Sequence, residues 1–187
     1  SITNYILPNI DNVAVINIDN LFSIPDYKTE EKILTILLKL KNLATKNLYI
    51  KTSHNNNNIF NTIKTNNFQK FWESEYQLRK KYVFPPFGQL ITVEYRDQNL
   101  SKAQNEIQIY YDKIKRTIEK NNLNNKFLIS QPTSNFHEKI NNQYYWSFKI
   151  KLKLEEPFII KPQDIKMRNQ LLNILTNDFY IDIDPIN

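Results

Sequence analysis

Three lysines alternate along the most regular strand pattern in the chain, at a spacing that could bind a row of phosphates. Lys149, Lys151 and Lys153 would project from one face of this strand, while Phe148 and Ile150 would project from the other. Ammonium groups beside aromatic rings can follow the backbone of a nucleic acid. Alternating polar residues are also routine on the solvated face of a half-buried sheet. The pattern therefore leaves two interpretations, a DNA-binding row and a solvated strand face.

A second basic cluster lies where a helix must end before a pair of prolines. Arg79, Lys80 and Lys81 fall in the last turn of that helix, where cations stabilise the negative end of the helix dipole. The same side chains could contact DNA or an acidic partner. We take these three residues, together with the three strand lysines, as the candidate DNA contacts.

The composition permits an anionic partner and excludes several kinds of site. The 187 residues include 25 Lys and Arg against 19 Asp and Glu, a formal net charge of +6. A charge of this size allows nucleic-acid binding without demanding it. The absence of cysteine excludes disulfides, thiolate zinc sites and a cysteine nucleophile. No apolar run approaches the length of about 20 residues that a membrane-spanning helix needs, so we expect a soluble, cytoplasmic protein.

Neither the histidines nor the paired aspartates form a pattern that predicts catalysis or metal binding. His54 and His137 lie far apart, with no acidic ligand pattern beside them. Asp182 and Asp184 share one face of the last predicted strand, but no third ligand or catalytic histidine accompanies them. We predict no catalytic residue, no metal site and a structural role for the two aspartates.

The first third of the chain has the pattern of a parallel βαβ unit. Residues 12–19 form a short apolar run with polar flanks, which is typical of a buried parallel strand. Glu30 and Glu31 favour the start of a helix that extends to about Leu43, and residues 47–52 form a second strand. Apolar residues cover most of the helix, so we expect it to be packed on more than one side.

A proline pair divides the chain. Pro85 and Pro86 cannot continue the helix predicted over residues 68–82, and the only glycine, Gly88, precedes the next strand. We predict a first domain over residues 1–66, a linking helix and junction over 67–86, and a C-terminal domain over 87–187.

The C-terminal domain has the element order β-α-β-β-α-β. Two predicted helices, one capped by Ser101 and one starting at Pro162, alternate with strands of apolar and polar residues. Apolar residues recur at a helical period over residues 103–118, and Trp146 and Phe148 fall on the apolar side of their strand, where we expect core packing. This order is the split βαβ, or ferredoxin-like, arrangement. The predicted strands cover residues 89–96, 126–130, 143–154 and 179–185.

Four segments of the chain carry a common resemblance. The first follows Glu75 and the basic cluster with Phe-Pro-Pro-Phe-Gly-Gln-Leu-Ile, and another, over residues 11–32, reads DNVAVINIDNLFSIPDYKTEEK. Tyr145-Trp146 and the terminal Asp-Ile-Asp-Pro run complete the set. Together they resemble the bacterial primosomal protein N-prime family of replication-restart helicases, PriA. The resemblance implies an α/β plus α+β chain, in which a partial second RecA-like helicase lobe (βαβ) precedes a ferredoxin-like βαββαβ domain.

The motor motifs of this family are missing from the corresponding positions. Residues 38–45 stand where the family has its arginine-containing motif, and residues 5–10 stand where it has a Lys-Gly-His-Asp-Phe run. No Gly-rich phosphate loop occurs in the chain. The family uses ATP and zinc through residues absent here, so we expect no cofactor and no ATPase activity from this chain alone.

The resemblance also implies a partner site on the last helix. Lys166, Arg168 and Gln170 resemble a pattern whose first and last residues help to hold the acidic C-terminal tail of single-strand-binding protein. Lys166 and Gln170 are four residues apart and would share one helix face. A solvated helix face is the alternative interpretation.

The resemblance implies a role in replication restart and primosome assembly. The expected partners are forked or single-stranded DNA, the tail of single-strand-binding protein and other primosome proteins, in the cytoplasm at the nucleoid. The alternative is a protein-interaction module without DNA binding or enzymatic activity. A ferredoxin-like RNA binder is disfavoured, because the central strands lack the aromatic pair of an RNA-recognition motif.

Overall fold

A computed structural model describes residues 10–24 and 26–184, with the side chains of 136–138 excepted, and divides the chain into two compact units. Unit 1 is Ser1–Gln77 and unit 2 is Leu78–Asn187. Both units combine helices with strands, which confirms the prediction of a mixed α/β protein. The elements of unit 1 are β1 (Ile10–Val15), α1 (Asp19–Phe22), α2 (Thr29–Leu43), β2 (Ala44–Ile50) and α3 (Asn58–Thr65).

Helix α4 (Phe68–Lys81) contains the boundary between the units, and the remaining elements belong to unit 2. They are β3 (Gly88–Asp97), α5 (Leu100–Lys120), β4 (Phe127–Ile129), β5 (Thr133–Ile140), β6 (Gln143–Lys153), α6 (Pro162–Leu172) and β7 (Tyr180–Ile183). No helix within the described ranges combines the length and apolar character required to cross a membrane.

The sheet of unit 1 consists of two parallel strands in the part of the chain that the structure describes. β1 pairs with β2 in parallel, and α2 connects them, as the sequence predicts. The prediction that the first strand is buried is wrong. Every residue of β1 is exposed or half-buried, and Ile16, which follows the strand, is 68% exposed. Burial of a parallel strand requires cover on both faces, and two strands with one helical layer do not supply it.

The core of unit 1 is a cluster of helices rather than the sheet. Ile33, Leu34 and Leu37 of α2 are buried, since they recur at helical spacing on one side. They pack with Ile59 of α3 and Phe71 of α4. α2 also lies against both strands and α1, which confirms that it is packed on more than one side.

Unit 2 is built on an antiparallel sheet with the strand order β4-β6-β3-β7, and β5 pairs with the beginning of β6. Strand β5 was not predicted from the sequence. Asn141 and Asn142 both have positive φ, 48° and 62°, and form the two-residue turn that pairs Ile140 with Gln143. Asparagine tolerates this conformation better than most residues, so the Asn-Asn pair was the hairpin signal in the sequence.

The core of unit 2 lies between one face of this sheet and α5. The buried residues of α5 are spaced by three or four positions, which confirms the predicted helical period, and they face apolar residues of β3 and β6. Trp146 and Phe148 belong to this core, as predicted. The opposite face of β3, β6 and β7, which we call the open face, carries mainly exposed and half-buried side chains, such as Thr92, Lys149 and Tyr180, with Leu90 and Ser147 buried among them. The buried residues of α5 are Ala103, Ile107, Tyr111, Ile114 and Ile118.

The proline junction has the geometry that its sequence predicts. α4 ends at Lys81 and β3 begins at Gly88, on either side of a cis Pro85–Pro86 peptide. A Cβ atom at Gly88 would lie 2.6 Å from Cγ1 and 2.7 Å from the carbonyl oxygen of Val83, closer than real Cβ atoms approach. Position 88 therefore accepts only glycine in this conformation.

Candidate functional site

The three strand lysines lie on β6 and point to the open face, where their environments differ. Lys149 and Lys153 are exposed, whereas Lys151 is half-buried. The ammonium group of Lys151 donates a hydrogen bond to the carbonyl oxygen of Tyr82 at 2.6 Å and lies 3.5 Å from the ring centroid of Phe84. Burial, and to a smaller extent the charge of Lys149, lowers the pKa of Lys151 below its usual value. Lys151 therefore fastens the junction to the sheet, while Lys149 and Lys153 remain accessible to a ligand.

The helix-end cluster lies in the same unit as the strand lysines. Lys80 and Lys81 are exposed at the end of α4, and Arg79 is half-buried. Because Tyr82 directly follows Lys81 and accepts the hydrogen bond from Lys151, the end of α4 lies beside β6. The structure thus brings together the two basic clusters that the sequence placed 70 residues apart.

The open face also carries a tyrosine–arginine–tyrosine stack that sequence reasoning missed. The guanidinium carbon of Arg96 on β3 lies 4.8 Å from the ring centroid of Tyr145 on β6 and 3.8 Å from that of Tyr180 on β7. These distances are within the range of cation–π attraction. Strand register produces the stack, because Arg96 pairs with Tyr145 while Glu94 pairs with Tyr180. Alternation placed Tyr145 on the polar side of its strand, but it did not give the partner across the sheet.

A polar network fixes the arginine of this stack. Arg96 Nε donates to Glu94 Oε1 at 2.6 Å. The side-chain amide of Asn135 donates to the other oxygen of Glu94, and Ser147 Oγ donates to Asn135 Oδ1 at 2.7 Å. The charge of Arg96 is therefore largely offset by Glu94, and its guanidinium plane is held in place by hydrogen bonds as well as by the two rings.

Of the three predicted partner-binding residues on α6, two are exposed and one forms hydrogen bonds within the protein. Lys166 and Gln170 are exposed. Arg168 Nη1 donates to Gln89 Oε1 at 2.8 Å, and Gln89 Nε2 donates to Asp184 Oδ2 at 3.2 Å. Arg168 therefore connects α6 to the sheet through Gln89. Lys166 and Gln170, which are four positions apart, remain exposed to solvent.

Asp184 has the structural role predicted for it. Its Oδ1 accepts a hydrogen bond from the backbone N–H of Leu90 at 2.8 Å, and its own N–H donates to the Leu90 carbonyl at 2.6 Å. Asp182 is exposed on β7. The proline after Asp184, the side chain of His137 and the segment 1–9, on which other predictions fall, lie outside the described residues.

A charged network at the start of α6 was not found from the sequence. Asp164 is buried and pairs with Lys126 at 2.8 Å, while Lys161 pairs with Glu155 at 2.5 Å. The hydrogen bond from Lys161 lowers the pKa of the Glu155 carboxyl. The pair with Lys126 joins the residue before β4 to α6 and offsets the charge of the buried Asp164, while the pair with Glu155 joins the segment after β6 to the residue before α6.

Among the described carboxylates of unit 1, Asp19 accepts hydrogen bonds on both of its oxygens from residues distant in sequence. Asp19 Oδ1 accepts from Thr52 Oγ1 at 2.5 Å, while Oδ2 accepts from Ser53 Oγ at 2.6 Å and from the Ser53 N–H at 2.8 Å. These hydrogen bonds lower the pKa of Asp19 to about 2. All of them link the start of α1 to the segment that follows β2. Within residues 10–24 and 26–184, no group of three His, Cys, Asp or Glu side chains could hold a metal ion.

Comparison with known proteins relates the chain to one replication protein. No protein-family model matches it. Over 116 residues it is 27% identical to a protein of Borreliella burgdorferi named "Replication restart protein PriA", and the match covers 59% of this chain and 18% of that protein. The chain is thus a distant relative of PriA, and it matches less than a fifth of that protein's length.

Proposed function

We propose that this chain acts in replication restart by binding forked or single-stranded DNA, as a PriA-related segment without ATP turnover of its own. The observation that carries the proposal is the 116-residue similarity to a replication restart protein. The function lies in the cytoplasm at the nucleoid, where replication forks are found.

The charge distribution supports unit 2 as the DNA-binding part. Unit 2 contains 17 of the 25 lysines and arginines and 12 of the 19 acidic residues, a formal net charge of +5, whereas unit 1 has 8 against 7. Lys149, Lys153, Lys80 and Lys81 are exposed in this unit. Phosphate contacts of this kind supply most of the affinity for DNA that is independent of sequence.

The order of the elements supports a ferredoxin-like assignment for unit 2 and a RecA-like assignment for unit 1. In unit 2 the elements β3, α5, β4, β6, α6 and β7 follow the βαββαβ order of a ferredoxin-like domain, with β3 and β6 at the centre of the sheet. In unit 1 the parallel pair β1–β2 with α2 between them has the connectivity of a RecA-like lobe fragment. We propose both assignments.

The exposed part of α6 supports a protein partner as well. Lys166 and Gln170 lie one helical turn apart and present an ammonium group and an amide to solvent. Such a pair suits a terminal carboxylate. We propose that it binds the acidic C-terminal tail of single-strand-binding protein and that other primosome proteins assemble around the complex.

Fluorescence anisotropy of labelled forked DNA, titrated with the full chain at several salt concentrations, tests the proposal. We expect affinity to fall steeply with salt, and the double variant Lys149→Glu with Lys153→Glu to reduce the slope of log affinity against log salt by about 2. The control makes the same charge change at the exposed Lys39 and Lys51 of unit 1 and should leave the slope unchanged. Absence of DNA binding at low salt would refute the DNA-binding proposal.

The second candidate is a protein-interaction module without DNA binding. Two cations of the open face are already engaged within the protein, which favours this candidate. Glu94 offsets the charge of Arg96, and Lys151 donates its hydrogen bond to the Tyr82 carbonyl. Binding of an acidic tail peptide in the same assay, lost on Lys166→Glu and unaccompanied by DNA binding, would establish this candidate instead.

A further inference from the structure

The open face of unit 2 combines aromatic rings and cations in an arrangement that suits a single-stranded nucleic acid. Tyr145 and Tyr180 enclose Arg96, and Tyr180 is 54% exposed. One surface of the Tyr180 ring faces the guanidinium, so the exposed remainder is available to a planar ligand. Lys149 lies on the same face, next to the row that contains Ser147.

The two rings are held in position before any ligand arrives. Arg96 fixes them by cation–π contact, and Arg96 is itself held by Glu94, which Asn135 supports. Immobilising a side chain on binding costs conformational entropy, and rings that are already fixed avoid most of that cost. The stack is therefore a preorganised platform.

Strand register places the platform and Lys149 within the span of one extended single strand. Strand register places Tyr180, Glu94 and Ser147 in one row across the sheet, and Asp182, Thr92 and Lys149 in the next row. Successive rows on one face are about 7 Å apart, since a strand advances about 3.4 Å per residue. Tyr180 and Lys149 also lie two strands apart, about 10 Å across the sheet, because β3 separates β7 from β6. An extended strand that stacks a base on Tyr180 and runs diagonally across the sheet would thus bring a phosphate further along its backbone towards Lys149.

We propose that the open face binds single-stranded DNA, with unpaired bases stacking on Tyr180 and Tyr145 and a phosphate bound by Lys149. This inference rests on the proposed DNA-binding function and adds a preference for unpaired strands. Stacking on a protein ring requires a free base surface, which a duplex does not offer. Lys149 and Lys153 are exposed and complementary to phosphates, and the carboxylate of Glu94 is paired with Arg96. The exposed Asp182 is separated from Lys149 by β3, so a phosphate would bind on the β6 side of the face.

The test compares a labelled oligothymidine with a hairpin duplex of equal charge, each titrated with the full chain by fluorescence anisotropy. The variants are Tyr180→Ala and Tyr145→Ala. Tyr180→Phe, which keeps the stacking surface, is the conservative control. Tyr49→Ala, at an exposed tyrosine on β2, controls for loss of any surface ring. Circular dichroism and the thermal midpoint verify that each variant is folded.

We expect Tyr180→Ala and Tyr145→Ala each to weaken oligothymidine binding about tenfold, because stacking on an aromatic side chain contributes about 1–3 kcal/mol per base. Duplex binding and the salt slope for the single strand should not change, since no phosphate contact is lost. Lys149→Ala should instead reduce the salt slope by about 1 on both ligands. The Tyr180→Phe and Tyr49→Ala variants should bind both ligands with the affinity of the unmodified chain.

Folded Tyr180→Ala and Tyr145→Ala chains that bind oligothymidine with unchanged affinity would overturn the inference, as would an equal loss for duplex and single strand. Tighter binding of the matching oligouridine than of oligothymidine would overturn the assignment to DNA. In these cases the salt-dependent binding of forked DNA would still stand, so the proposed function would survive. If the unmodified chain bound no DNA, both would fall.

Discussion

The two units use the same kinds of element with different outcomes. In unit 2 every strand pairs with β3 or β6, and α5 covers one face of the sheet over a continuous core. In unit 1 the strands β1 and β2 have only each other among the described residues, and both remain exposed or half-buried. The difference shows that the helix cluster around α2 holds unit 1 together, whereas the sheet holds unit 2 together.

Sheet size explains the contrast physically. A two-stranded pair is at best marginally stable in water, because each strand leaves one edge of N–H and C=O groups to solvent. Strands β3 and β6 have partners on both sides, so their backbone groups are satisfied within the sheet.

The largest expected effect is on amide hydrogen exchange in the full chain. The amides of β3 and β6 should exchange about a thousandfold more slowly than those of β1 and β2, which corresponds to a difference of roughly 4 kcal/mol in opening free energy. Residue-resolved exchange measured by NMR checks this. Equal protection of the two sheets would show that unit 1 is as stable as unit 2.

Gly88→Ala should destabilise unit 2 selectively. The added methyl would overlap the side chain and carbonyl of Val83, so we expect the free energy of unfolding to fall by about 2 kcal/mol. Urea unfolding followed by tryptophan fluorescence and by NMR signals of each unit measures the loss. Gln98→Ala, at an exposed position just after β3, is the control and should have little effect. A larger loss in unit 1 than in unit 2 would contradict the assignment of the junction to unit 2.

Lys151→Met should weaken the attachment of the junction to the sheet. Methionine retains the apolar stem but leaves the Tyr82 carbonyl without its donor, and we expect a loss of about 1 kcal/mol in the stability of unit 2. Lys149→Met, two residues earlier on the same face, is exposed and should change stability much less. Thermal unfolding of both variants measures the two losses. Equal losses would mean that the contact with Tyr82 does not contribute to the stability of unit 2.

The smallest expected effect is on the stability of unit 1 at acidic pH. The pKa of Asp19 is lowered from 3.8 to about 2 by Ser53 and Thr52, so its contribution to folding is fully present above pH 4 and disappears as the pH falls through 2. Asp19→Asn should therefore lower the stability of unit 1 at pH 6 and reduce its dependence on pH between 4 and 2. NMR titration of the carboxyl groups and unfolding at several pH values measure both. Asp182→Asn in unit 2 should leave the acid profile of unit 1 unchanged.

Local patterns in the sequence predicted much of the fold. The spacing of Ile107, Tyr111, Ile114 and Ile118 determined which side of α5 is buried, and the alternation in β6 separated its core face from its open face. The proline pair located the break between α4 and β3. These features depend on residues within a few positions of one another, so one sequence is enough to find them.

Features that depend on residues far apart in the chain could not be predicted from the sequence. The Tyr145–Arg96–Tyr180 stack requires the register of three strands, and neither propensity nor alternation specifies which residues pair across a sheet. The exposure of β1 depends on which neighbours cover it. The site lysines were found as a group, but the contacts with Tyr82 and Phe84 that distinguish Lys151 from Lys149 involve residues far away in the sequence.

The glycine at the junction has a consequence for comparing distant homologues. The carbonyl oxygen of Val83 approaches position 88 as closely as its side chain does, so no replacement at position 83 would create room for a larger residue. In any chain that retains this turn, substitution can alter the surrounding residues while this one position stays constant. It is therefore a fixed reference point for aligning homologues whose overall identity has become too low to align by other means.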